Sequence, residues 1–137
     1  MSGFLVDTNV ISELRKGSRA NRGVRRWFAK TASDDLFLSV LVIGEIRRGI
    51  ELIRRRDPTA AQHLEAWLMR LRRNFAGRIL PLDEDVAEIW GGLGLDRPVP
   101  PIDGLLAATA LCHGSTLVTR NTKDLEGAAV NTFNPFE

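Results

Sequence analysis

Four acidic residues stand at places in this chain where a carboxylate can do chemistry. Asp7 directly follows the apolar triplet Phe4-Leu5-Val6, and Glu45 falls on the apolar side of a helical stretch. Asp103 opens the run Gly104 to Cys112, which is apolar almost all round, and Asp124 lies in the polar turn after Thr116-Leu117-Val118-Thr119. Asp is common in turns and at helix caps, so each taken alone has an ordinary structural explanation. Together they ask for a common one. Carboxylates brought into one place repel each other, and the usual remedy is a hard divalent cation bound through oxygen, magnesium or manganese. Such a site suits phosphoryl chemistry: metal-activated water attacks a phosphodiester, and the metal's charge steadies the leaving oxygen.

Placing those acids together is the task of the elements around them. Phe4 to Val6 shows no polar alternation and reads as a short strand buried on both faces of a parallel sheet. Thr8 or Asn9 then caps a helix through Val10, Ile11 and Leu14 that stops at Gly17. Residues 21–30 place Val24, Trp27 and Phe28 at helical spacing. A second apolar strand, Leu36-Phe37-Leu38, follows the Asp34-Asp35 turn, and Ser39 caps a helix from about Val40 to Arg55. On a wheel at about 100° per residue, Leu41, Val42, Ile43, Ile46, Ile50, Leu52 and Ile53 fill half of this helix, with arginines on most of the rest. Glu45 falls in the apolar half, so its carboxylate is expected to point into the protein, where it needs a partner or a metal. A buried salt bridge or a bend of the side chain to the helix edge is the ordinary alternative.

Asp57-Pro58 begins a helix with Ala61, Leu64, Leu68, Leu71 and Phe75 on one face, which forms an antiparallel hairpin with the helix before it. Ile79-Leu80 is a minimal strand, and Asp83 caps a helix through Val86, Ile89, Trp90 and Leu93. Pro98 to Pro101 then delivers the chain stiffly to a core helix that opens at Asp103, itself a candidate cap. A last strand falls near Val130 to Phe133. Strands alternating with helices give an α/β fold with a parallel sheet, and right-handed crossovers bring the strand-to-helix junctions to one edge. Asp7 and Asp124 therefore converge, and Asp103 joins them where its helix starts on that edge.

The 137 residues fit one domain, 1–137. No apolar run reaches the roughly 20 residues of a membrane helix, and Met-Ser-Gly-Phe lacks the basic stretch of a signal peptide, so a cytoplasmic location without membrane contact is expected. The single Cys112 excludes an intrachain disulfide and reads as a small buried hydrophobe. His63 and His113 lack zinc-ligand company, and no Gly-rich phosphate loop occurs. A net charge of +2 conceals an asymmetry, because residues 1–80 carry 16 Lys/Arg against 8 Asp/Glu and residues 81–137 carry 3 against 9. The cations of the first part are almost all arginine, which suits phosphate recognition, although a solvated helix face explains many arginines equally well. Arg47, Arg48, Arg54, Arg55, Arg70, Arg72 and Arg73, around the helical hairpin, are the candidates to face a nucleic acid.

The motif Leu5-Val6-Asp7-Thr8-Asn9-Val10-Ile11-Ser12-Glu13, the Ser39-to-Glu45 spacing, the run from Pro101-Ile102-Asp103-Gly104 to Ala110, and Leu117-Val118-Thr119-Arg120-Asn121-Thr122-Lys123-Asp124-Leu125 occur in this order. Over essentially the whole chain they resemble the PIN-domain toxins of the VapC and FitB type, and the closing stretch Asn131 to Phe136 is similar to the FitB branch. The resemblance implies a three-layer α/β/α sandwich with a central parallel sheet of about four to five short strands. It also implies a metal-dependent endoribonuclease, the toxin of a bacterial toxin–antitoxin pair, inhibited by a cognate VapB- or FitA-like antitoxin whose C-terminal tail lies over the active site. A homodimer and a larger hetero-oligomer with antitoxin go with that reading, and the hairpin arginines become candidates to face RNA or antitoxin. Position by position, Asp7, Glu45 and Asp103 match the three core metal-binding acids. Where the FitB-like pattern has an acid directly after Thr-Arg, this chain has Asn121, which coordinates through its amide oxygen without adding charge, and Asp124 three residues on is the other candidate. Thr8, Asn9, Ser39 and Thr119 are the expected supporting polar residues. A haloacid-dehalogenase-type phosphatase would need a second Asp where Asn9 stands. The alternative from another class is a non-catalytic module of the same fold that binds RNA or antitoxin, and metal-dependent cleavage separates the two.

Overall fold

The computed structural model describes residues 3–137. Phe4–Val6 (β1) is the central strand of five parallel strands. Leu36–Ser39 (β2) and then Ile79–Leu80 (β3) lie on one side of it, Thr116–Val118 (β4) and then Thr132–Phe133 (β5) on the other, giving the order β3-β2-β1-β4-β5. Leu5, Val6, Leu38, Leu117 and Val118 are wholly buried, as unbroken apolar triplets require in a sheet covered on both faces.

Thr8–Leu14 (α1) and Arg22–Lys30 (α2) connect β1 to β2, and Val40–Arg54 (α3) and Pro58–Asn74 (α4) connect β2 to β3. Glu84–Gly91 (α5) and Pro101–His113 (α6) carry the chain back across the sheet to β4. The first two connections step away from β1 in one direction and the third steps back in the other, so right-handed crossovers put α1 to α4 on one face and α5 and α6 on the opposite face. The packing agrees: α1 meets α2 and α3, α3 meets α4, and α5 meets α6. The molecule is thus the expected three-layer α/β/α sandwich. Its sheet reverses the direction of growth between β1 and β4, the kind of switch point whose carboxyl-end crevice binds ligands in open α/β sheets.

Several local expectations change. Asp7 itself caps α1 through its side chain, whereas Thr8 and Asn9 already lie in the first turn. The last helix begins at Pro101, not at Asp103, because proline fits the first helical position, where no N–H is required. Asp103 therefore sits inside the first turn and caps nothing. Leu52 is 56% exposed, since the buried strip of α3 is narrow and runs through Val42, Ile46 and Ile50. Cys112 is only half-buried, on the flank of α6 beyond the buried Ala110, and desolvation raises its thiol pKa. The polar stretch after β4 is more than a turn: Thr122–Ala128 winds into a 3-10 helix that buries Leu125 and Ala128.

The helix α6 is held by its own core face, in which Leu106 is 1% exposed among Ala107, Ala110, Leu117 and Val118. Leu106→Ala is expected to lower unfolding free energy by about 2–5 kcal/mol, read as a lower urea midpoint with an unchanged slope.

Candidate active site

Strand register builds the centre of the site. Val6 is paired with Val118, so the residues that next leave the sheet, Asp7 and Thr119, emerge side by side, and the Asp7 N–H donates to the Val118 carbonyl at 2.9 Å. Both are buried, Asp7 at 4% and Thr119 at 0% exposure. A carboxylate so enclosed must be satisfied. The Thr8 N–H donates to its Oδ1 at 2.7 Å, the Thr119 hydroxyl to its Oδ2 at 2.7 Å, and Asn9 Nδ2 to the same Oδ2 at 3.3 Å. Burial pushes the Asp7 carboxyl above its ordinary value, and the bonds from Thr119, Thr8 and Asn9 pull it back. Thr119 Oγ1 in turn accepts from the Asn121 N–H at 3.0 Å, and Asn9 Oδ1 accepts from the Arg120 N–H at 3.2 Å. The polar residues around Asp7 thus form one connected lattice between the ends of β1 and β4.

Ser39, at the end of β2, caps α3 by accepting from the Leu41 N–H at 3.0 Å, which starts the helix that carries Glu45. Glu45 is exposed and does not point into the interior as its wheel position suggests. It borders the narrow buried strip and reaches along the helix edge, where the Thr8 hydroxyl donates to its Oε1 at 2.6 Å. Thr8 therefore touches two acids, Asp7 through its backbone and Glu45 through its side chain.

Asp103 enters from the first turn of α6 on the other layer. Its carboxyl is pushed up to about 6, first by burial and then by the negative charges of Asp7, Asp124 and Glu45, with no hydrogen bond to offset them. Asp103 is thus within electrostatic reach of the other three acids. Asp124 is exposed in the opening turn of the 3-10 helix, and Asn121 is exposed just before it, bonded here through its N–H rather than its amide side chain. Among the described residues no three acidic, His or Cys side chains stand close enough, as placed, to cage one ion. The converging donors are all oxygens, however, and most are anionic, a set that fits a hard divalent cation and not a soft one.

The hairpin arginines divide. Arg47 grips Glu65 with two bonds of 2.9 and 3.0 Å and reaches Glu51 at 3.1 Å, while Arg54 pairs with Glu51 at 3.1 Å and with Glu65 at 2.5 Å. Glu65, held by Arg47 and Arg54, titrates at about 2. Arg47 and Arg54 thereby tie α3 to α4, because closing the hairpin brings Glu65 beside them. Arg48, Arg55, Arg70, Arg72 and Arg73 remain exposed. Two further arginines, outside the hairpin, border the site residues. Arg15 lines a cavity of about 180 Å³ together with Thr8 and Glu45, and Arg120 follows Thr119 directly. The only signal for Arg120 in the sequence was its place between two candidate site residues.

The PIN domain family model matches residues 4–130. Toxin FitB of Neisseria gonorrhoeae is 35% identical over 140 residues, covering 97% of this chain and 98% of FitB. The VapC ribonuclease Y4jK of Sinorhizobium fredii is 32% identical over 141 residues, covering 98% of each chain. Among solved structures, FitAB bound to an IR36 DNA fragment superposes with a TM-score of 0.88 at 34% identity, over 98% of this chain and 96% of that one.

A carboxyl raised to about 6 favours the folded chain while it is protonated and disfavours it once ionised, so its contribution is present below the ordinary value near 4 and lost as pH rises through about 6. Asp103→Asn is expected to raise the melting temperature of chelator-treated protein at pH 7.5, and to do so more than at pH 4.5. Melting curves of parent and variant at the two pH values check this, and an equal difference at both would contradict the shifted carboxyl.

Proposed function

The chain belongs to the PIN domain family, and on that footing we propose that it is a divalent-metal-dependent endoribonuclease, the toxin of a bacterial toxin–antitoxin pair. The observation that supports the reading is the hydrogen-bonded link Asp7–Thr8–Glu45 at the carboxyl edge of the central strand, with Asp103 in electrostatic reach of it. The names of the relatives support it, one a toxin and one a VapC ribonuclease. The partner is a FitA- or VapB-like antitoxin, as in the FitAB complex, and the toxin works as a homodimer that joins a larger assembly with it. No described helix is long and apolar enough to cross a membrane, and we place the activity in the cytoplasm, where the RNA is.

Asp7, Glu45 and Asp103 would hold magnesium or manganese, with Asn121 or Asp124 completing the set. Such an ion, when bound, supplies positive charge and Lewis acidity at the phosphodiester. The protein's own contribution is to hold its ligands still. Thr119, Asn9 and the Thr8 N–H fix both oxygens of Asp7, and the Thr8 hydroxyl keeps the exposed Glu45 from swinging into solvent. Partners of this kind are worth about 10–100-fold in metal affinity or activity. Asn121 in place of an acid is the one feature that favours the second reading, a non-catalytic RNA- or antitoxin-binding module.

Asp7→Asn, Glu45→Gln and Asp103→Asn are each expected to reduce magnesium- or manganese-dependent RNA cleavage by more than about 100-fold while the fold is kept. Growth arrest by any of the three, equal to that of the parent, would remove that residue from the site. Asp124→Asn is expected to weaken cleavage less, because water partly replaces a ligand at the rim, and Asn121→Asp to shift the magnesium titration to lower concentration. A parent that binds RNA but cleaves it with neither metal would establish the binding module instead.

A further inference from the structure

Beyond the charge of any ion it binds, an acidic centre that receives a polyanion gains from cations at its borders, which draw the strand in. Several of the 19 Lys and Arg side chains are already engaged. Lys16 pairs with Glu13, Arg22 and Arg26 with Glu137, Arg97 with Glu126, and Arg47 and Arg54 with Glu51 and Glu65. Arg78 spends its guanidinium on the carbonyls of Ser33, Leu36 and Asn74.

Arg15 and Arg120 are held differently. The Arg15 guanidinium lies 5.9 Å from the centre of the Trp67 ring, and that of Arg120 lies 4.2 Å from the centre of the Phe136 ring. Both residues are exposed, and among the described residues neither is ion-paired. Glu13 feels the charge of Arg120 but is bonded to Lys16 and to the Asn21 N–H. A guanidinium resting on an aromatic face is oriented without using its N–H edge, which stays free for two-pronged bonds to a phosphate.

Their positions frame the acids. Arg15, just past the end of α1, continues the stripe of Thr8 and Ser12 and lines the cavity that contains Glu45. Arg120 leaves the carboxyl end of β4, its N–H fixed on Asn9, the residue that bonds Asp7. We propose that Arg15 and Arg120 are the phosphate-gripping pair of the site, holding a single-stranded RNA backbone at the two borders of the acid cluster. This rests on the ribonuclease reading above and assigns the contact that places the strand. Among the described residues, the arginines of α3 and α4 have no such aromatic seat.

The test is binding of a labelled single-stranded oligouridylate in EDTA, so that nothing is cut, followed by anisotropy across a potassium chloride series. The slope of log affinity against log salt is expected to fall by about 0.7 for Arg15→Gln and for Arg120→Gln, and by about 1.4 in the double variant. Arg15→Lys and Arg120→Lys should keep the parent's slope but bind more weakly, because charge is retained while the stack and the planar fork are lost. Melting curves confirm that each variant is folded, and the lysine pair keeps the question open to test if a glutamine variant is not. The proposal is overturned if the double variant keeps the parent's slope while Arg55→Gln or Arg73→Gln lowers it, or if the variants bind RNA normally and lose only antitoxin. A parent that binds and cleaves RNA alongside such a result would leave the ribonuclease reading intact, whereas a parent that does neither would sink both.

Discussion

A nearly inaccessible carboxylate at the end of the central strand is the constraint around which this molecule is arranged. β1 has a neighbour on each side and a helical layer on each face, so Asp7 leaves the sheet where water hardly reaches. An ionised group there is tolerable only with several fixed donors. The chain provides them from the helix Asp7 caps and from the strand next to it. Paired register between Val6 and Val118 is therefore a condition of the site as well as of the sheet. A slip by one residue would turn Thr119 away and leave the carboxylate unsatisfied.

The remaining acids are set by packing at greater distance. Glu45 depends on α3, and α3 is joined to α4 by the Arg47–Glu65 fork as well as by apolar contact. These charges are partly exposed, so the pairs add modest stability. Their geometric effect is more direct, because they fix the rotation of the helix that aims Glu45 at Thr8. Asp103 reaches the same crevice from the opposite layer only because α6 begins at the sheet's carboxyl edge.

Much of this was legible in the sequence, because the signals were local. Unbroken apolar triplets announced β1 and β2, the stretch Thr116 to Thr119 announced β4, the Asp57-Pro58 pair announced α4, and strand–helix alternation announced the parallel sheet. Legibility failed where the answer depended on how elements meet. The wheel put Glu45 and Leu52 inside because it cannot tell how wide a strip the neighbours will cover. A proline-rich stretch argues locally against a helix, yet at the first helical position Pro101 is a start. Glu65 passed unnoticed because its partners lie 18 and 11 residues away, on the far arm of a hairpin. The aromatic seats of Arg15 and Arg120 likewise join segments remote in sequence, Arg15 to Trp67 and Arg120 to Phe136.

The division of the helices between two layers has an electrical consequence. Residues 1–80, rich in arginine, build α1 to α4 on one face, whereas on the other α5 carries Glu84, Asp85 and Glu88 and no Lys or Arg, and α6 carries only Asp103. A chain of nearly balanced charge is thereby a dipole directed through its own sheet. A long anionic strand, the substrate class proposed above, would feel that field over about a Debye length, roughly 8–10 Å, and would be turned toward the α1–α4 face before any side chain touched it. Encounter would then be partly aligned when recognition begins.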